Sequence, residues 1–183
     1  MYNSSPACNK PSHSPTNSHG LEKEFLDIIG ANQGIIHKVC NIYCDNTEDR
    51  NDLFQEILAQ LWKSFSSFRS ESKFTTWMYR VALNTAITSF KKQHRQPGFS
   101  SLSVANLMIA DDVPSTETEE HLALLRKAVS RLSGIEKSII LLFLENKNYE
   151  EIAEITGITQ NYVRVKMNRI KKKLKLLMVS ESE

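Results

Sequence analysis

Two clusters in the chain hold residue types that could do chemistry. The first is His37-x2-Cys40-x3-Cys44, three nitrogen and sulfur donors on neighbouring turns of a helix-spaced apolar stretch. Such a set suggests a metal, but structural zinc takes four ligands and no fourth donor cluster follows. The other reading makes Cys40 and Cys44 small core residues beside Ile36 and Ile42. The second cluster is "QNYVRVKMNRIKKKLK", residues 160–175, with seven basic residues in the twelve positions from Arg164 to Lys175. Its chemistry is recognition, not bond-making: arginine can pair with guanine, asparagine with adenine, and lysine neutralises phosphate. No P-loop, HExxH, paired-carboxylate or nucleophile-elbow pattern occurs, so no catalytic residue, metal or cofactor is expected and the chain does not read as an enzyme.

The basic stretch needs a scaffold, and the residues before it supply one. In "NYEEIAEITGIT", Asn148 is placed to cap a short helix whose apolar residues are Ile152, Ala153 and Ile155. Gly157 suits a left-handed C-cap and Thr159 the cap of the next helix. Two helices joined by a short glycine-containing turn make a helix-turn-helix. On its second helix Val163, Met167, Ile170, Leu174 and Leu177 form one apolar stripe. Asn161, Val165, Asn168 and Lys172 project from the opposite side, flanked by Arg164 and Arg169, and form the expected DNA-facing surface.

Every other periodic segment is also helical, and no alternating strand pattern appears. Phe54, Ile57, Leu58, Leu61 and Phe65 share the face of one helix, with Thr47 as its expected N-cap. A second long helix is expected over 74–92, burying Trp77, Val81 and Phe90. Shorter ones are expected over 21–29 and 34–44. From 96 to 125 there is no Lys or Arg while acids accumulate, and Pro97, Gly98 and Pro114 break helical order. Thr116-x-x-Glu119 and Ser133-x-x-Glu136 have capping-box spacing, and helices are expected to start near 117, 135, 149 and 160. The expected fold is all-α: two small helical domains, 21–95 and 117–183, joined by a flexible acidic linker over 96–116, the second containing the helix-turn-helix. Residues 1–20 read as a disordered polar tail without the apolar run of a secretory signal. No stretch of eighteen apolar residues spans a membrane. The three cysteines suit reduced thiols, which places the chain in a cytoplasm.

The ordered pair of motif sets resembles the extracytoplasmic-function (ECF) RNA polymerase sigma factors. "LSGIEKSIILLFLENKNYEEIAEITGIT" is similar to their fourth region, and "EDRNDLFQEILAQLWKSF" with "FRSESKFTTWMYRVALNTAI" to their second. The resemblance implies a protein that joins core RNA polymerase and directs promoter-specific initiation. It implies that Asp52, Leu53, Gln55 and Glu56 dock on the coiled coil of the polymerase's largest subunit, with Trp62 near the same edge. Phe74, Trp77, Tyr79, Arg80 and Asn84 match the segment that engages the opened minus-ten element. Lys73, Lys91 and Lys92 are the neighbouring bases, and the loop over 68–73 would capture an unstacked base. The second helix of the helix-turn-helix, with Asn161, Arg164, Val165, Asn168, Arg169 and Lys172, would read the minus-thirty-five element. An anti-sigma factor is implied as a further partner.

Two places depart from the family. The recognition helix has Tyr162-Val163-Arg164-Val165-Lys166 where members usually have Thr-Val-Lys-Ser-Arg, and Lys137 stands where many have Arg. The alternative, a helix-turn-helix regulator that never joins the polymerase, leaves the motifs of the first half unexplained. The net charge is only +2 despite the basic helix. Because phosphate neutralisation is sequence-independent, the offsetting acids suggest that DNA binding is held back until the polymerase sets the two domains in register.

Overall fold

Residues 18–68, 72–95 and 116–180 are described by a computed structural model. They form seven helices in the order α1 (Ser18–Tyr43), α2 (Thr47–Phe65), α3 (Phe74–Arg95), α4 (Thr116–Ser130), α5 (Gly134–Leu144), α6 (Tyr149–Thr156) and α7 (Gln160–Ser180). No strand occurs among the described residues, and no helix there is long and apolar enough to cross a membrane. The expected tail lies almost wholly outside them, as do all but one residue of the expected linker and positions 69–71 of the 68–73 loop.

Packing divides the chain into residues 1–31 and residues 32–183. In the second unit α2 lies on α3, α4 and α5 flank α7, and α6 and α7 form the helix-turn-helix. α3 also packs against α5 and α6, so the helices of the two sequence halves share one compact unit.

Local chemistry explains most boundaries and corrects three expectations. The N-cap of α2 is Asn46, not Thr47: Asn46 has extended backbone and its Oδ1 accepts the Asp49 amide at 2.7 Å. Asparagine is the stronger cap, and it also donates from Nδ2 to the Asp49 carboxylate. The helices expected over 21–29 and 34–44 are one helix. A glycine inside a helix costs only about 1 kcal/mol, and Gly30 and Gly34 are surrounded by open space. Burial of Ile36, Val39, Cys40 and Tyr43 along one stripe carries the helix past Gly34. In α3 the buried arc is Met78, Tyr79, Ala82, Leu83 and Ala86, whereas Trp77, Val81 and Phe90 are only half-buried. α3 is covered on two sides, by α2 and by α5 and α6, and the small Ala82 and Ala86 permit close approach. Trp77 instead joins an aromatic cluster with Phe65, Phe68 and Phe74, with ring centroids 5.1–6.4 Å from its own.

Cys40 and Cys44 are buried core residues whose thiols burial pushes up to about 12. His37 faces outward and stacks on the Phe54 ring with centroids 4.8 Å apart. The three side chains therefore do not converge.

Candidate nucleic-acid and partner interfaces

The helix-turn-helix is built by three capping devices. Asn148 Oδ1 accepts the amides of Glu150 and Glu151 at 3.0 and 2.9 Å, and the Glu151 carboxylate accepts the Asn148 amide at 2.9 Å. This reciprocal pair satisfies donors that the first turn of a helix leaves unmatched. Gly157 ends α6 at φ 72°, where a side chain would be strained, and its amide donates to Ala153 O at 2.9 Å. Thr159 Oγ1 then accepts the Tyr162 amide at 3.3 Å to start α7.

α7 docks by the stripe anticipated from its spacing. Val163, Met167 and Ile170 are fully buried against α5 and α6, and Leu174 and Leu177 are half-buried. Asn161, Arg164, Val165, Asn168, Arg169 and Lys172 are all exposed on the other side. Two basic residues of the run serve the scaffold instead. Lys166 and Lys173 reach opposite oxygens of Glu136 at 3.8 and 3.4 Å, and Lys173 also donates to Arg131 O at 3.0 Å. Glu136 completes the capping box of α5 by accepting the Ser133 amide at 3.0 Å. Burial alone would push its carboxyl up, but the hydrogen bonds from Ser133 and the Lys173 ammonium hold it below the usual range.

On α2, Asp52, Gln55 and Glu56 are exposed, while Leu53 is buried and anchors the helix from beneath. Asp49, Asp52, Leu53 and Glu56 line a cleft of about 200 Å³ with Ser89, Lys92 and Gln93 of α3. Arg50 orients this helix by donating from Nε to Asn46 O at 3.1 Å and from Nη1 to Asn41 Oδ1 at 3.4 Å. Trp62 is exposed one turn before the end of α2.

The α3 candidates fall into three groups. Arg80, Asn84 and Lys91 are exposed and share one stripe by helical spacing. Lys73 is exposed just ahead of the helix, and Lys92 lies on the acidic cleft, turned about 100° from Lys91. Tyr79 is only 3% exposed. Its hydroxyl donates to the Glu145 carboxylate at 3.1 Å, and burial with that negative charge pushes the phenol well above its ordinary value. Arg80 donates from Nη2 to Glu154 O at 2.7 Å in the last turn of α6. Phe74 and Trp77 belong to the aromatic cluster at the start of the helix.

No motif or periodicity points to the residues that hold these groups. Glu145 also accepts Lys38 Nζ at 2.7 Å. Tyr43 OH donates to Gly134 O and shares a 2.6 Å hydrogen bond with Ser138 Oγ. Lys137 is buried, its ammonium 4.8 Å from the Phe90 ring centre and 5.8 Å from that of Tyr43.

Comparison with known proteins covers both halves. The sigma-70 region 2 family matches residues 28–96 and the sigma-70 region 4 family residues 122–174. The ECF RNA polymerase sigma-E factor of Escherichia coli (strain K12) is 31% identical over 132 residues, 66% of this chain and 69% of that one. The ECF RNA polymerase sigma factor SigW of Bacillus subtilis is 24% identical over 161 residues, 82% of this chain and 86% of its own. A similar fold is found in the sigma factor RpoE of Bartonella quintana, solved in complex with the anti-sigma factor NepR. It has a TM-score of 0.64 and 20% identity, with 87% of this chain and 96% of that one covered.

Proposed function

The chain belongs to the ECF RNA polymerase sigma factors, and from that premise we propose how its helices divide the work of promoter-specific initiation. As a member it binds core RNA polymerase and promoter DNA. The exposed acidic and amide face of α2, with Asp52, Gln55 and Glu56 carried over the buried Leu53, docks on a basic helical surface of the polymerase. Arg80, Asn84 and Lys91, with Lys73 ahead of them, form the stripe that meets the opened minus-ten strand, and Tyr79 joins them when it is uncovered. Basic groups beside aromatic rings suit single-stranded DNA, whose unstacked bases and phosphates are both exposed. Lys92 belongs with the acidic cleft and tunes the docking face.

The exposed side of α7 reads the minus-thirty-five element. The observation that carries this assignment is the division of labour on that helix: Lys166 and Lys173 are consumed by Glu136, whereas Asn161, Arg164, Asn168, Arg169 and Lys172 all face outward. Val165, 49% exposed, replaces a family hydroxyl with methyl groups suited to a thymine methyl. The chain carries no catalysis of its own, acts in the cytoplasm where its polymerase is, and is held in reserve by an anti-sigma factor, as a structurally similar sigma factor is bound by NepR. The docking assignment is tested by pull-down with core polymerase. Gln55→Ala with Glu56→Lys should reduce capture at least about tenfold, the loss expected when a buried charged contact is reversed. Capture equal to wild type would remove α2 from the interface.

A further inference from the structure

Two of the seven basic residues between Arg164 and Lys175 belong neither to the outward side of α7 nor to its joint with α5. Arg164, Arg169 and Lys172 face outward, and Lys166 and Lys173 hold Glu136. Lys171 and Lys175 instead line a groove of about 520 Å³ between α4 and α7, with Leu124, Leu125, Leu174, Met178 and Val179. Lys171, Leu174, Lys175 and Met178 recur every three or four residues, so one face of α7 carries both apolar lining and two charges. Neither ammonium meets a carboxylate among the described residues. That of Lys171 lies 5.0 Å from the Phe143 ring centre.

The chain contains a segment whose chemistry matches this groove. Residues 104–110, Val-Ala-Asn-Leu-Met-Ile-Ala, are apolar at six of seven positions and are followed at once by Asp111 and Asp112. Segments that stay solvated are poor in apolar residues, and this run stands out in a stretch otherwise rich in serine, proline and acid. It also leads directly into α4, since Ala110 is six residues ahead of Thr116. Six extended residues span roughly 20 Å, whereas Leu124 lies only about 12 Å along α4 from its start. A short tether gives an effective concentration on the order of millimolar, so a weak intrinsic affinity suffices. We propose that residues 104–112 seat in the α4–α7 groove, with Leu107, Met108 and Ile109 on its apolar lining and Asp111 and Asp112 beside Lys171 and Lys175. The seating covers the apolar face and neutralises the two remaining lysines of the basic run. It holds whichever residues touch promoter DNA.

The test uses the full chain with Cys8→Ser. Ala110→Cys is combined with either Met178→Cys or Leu176→Cys, and disulfide formation in oxidised glutathione is timed. Positions 176 and 178 are reached by nearly equal lengths of chain but lie about 160° apart around α7. Leu176 is 71% exposed and Met178 half-buried, so an unguided tether would favour Leu176→Cys. Seating should instead make the Met178→Cys pair form at least about tenfold faster, because a seated thiol has a higher effective concentration than one merely tethered. Asp111→Lys with Asp112→Lys should remove that preference. Adding Lys171→Glu with Lys175→Glu should restore it at the net charge of wild type, which separates lost seating from misfolding. Equal rates, or a faster Leu176→Cys pair, would overturn the seating. A preference undiminished by Asp111→Lys with Asp112→Lys would overturn the pairing with Lys171 and Lys175. Disulfide-linked dimers of the Met178→Cys chain that grow with protein concentration, in place of the internal bridge, would give the groove to a second copy and overturn this occupant.

Discussion

At the level of single residues, Arg164 and Lys172 are both exposed on one side of α7, and the proposed docking gives them different tasks. Arg164 lies near the amino end of α7, the end that enters the major groove in helix-turn-helix docking. Its guanidinium can pair with one guanine, so Arg164→Ala should cost about 1–3 kcal/mol and relax preference at one base pair. Lys172 is two turns further on, where a helix docked in this way would pass the backbone. Lys172→Ala should weaken all sequences alike and lower the salt slope by about one. Titrating holoenzyme against a library of upstream promoter sequences at several salt concentrations separates the two. An unchanged base-preference profile for Arg164→Ala would make it one more phosphate contact. Asn84, exposed on the stripe between Arg80 and Lys91, should matter later in initiation. Asn84→Ala should reduce permanganate reactivity of promoter thymines more than it reduces closed-complex binding. The thiols act at the opposite pole. Burial raises Cys40 and Cys44 to about 12, and since the thiolate is the reactive form, a Cys8→Ser chain should resist Ellman's reagent until it unfolds.

Among the elements, Glu136 is the joint that fixes α7 on α5, because one carboxylate caps α5 and receives both Lys166 and Lys173. A carboxyl held low in the fold adds stability above its unfolded pKa and loses it as pH falls through the folded value. Glu136→Gln should therefore lower stability by about 1 kcal/mol near neutral pH, and the gap should close under acid conditions. Thermal melts of both chains at neutral and acid pH check this, and a gap that persists in acid would show packing, not charge, at work. The elements were largely legible in the sequence where the signal is local. Asn148, Gly157 and Thr159 act within a turn of their own positions, and the helix starts they mark are where the structure has them. Two of the misses also have local causes. Asn46 outcompetes its neighbour Thr47 as a cap, and glycines with open surroundings at 30 and 34 do not end the helix. The buried arc of α3 was misplaced because two partners cover it, and only one of them is near in sequence.

For the molecule as a whole, what the sequence left unsaid is the seam between its halves. Glu145 meets Lys38 across 107 positions and Tyr79 across 66, and no periodicity or motif spacing encodes pairings so distant. The candidate residues of α7 share one exposed side, as helical spacing predicts, but those of α3 fall into three groups, and that Tyr79 is covered and Arg80 engaged emerges only from the packing. The outward side of α7 and Asp52, Gln55 and Glu56 of α2 are exposed. The central claim is that these faces work together in starting transcription, and reconstituted initiation tests it most directly. Core polymerase, this chain and a genomic template library from the same bacterium should give transcripts from discrete start sites sharing upstream sequence elements. The Gln55→Ala, Glu56→Lys chain should abolish those starts, and Arg164→Ala should shift which of them are used. Discrete starts that persist undiminished with the double variant, or their absence with the wild-type chain, would contradict the account.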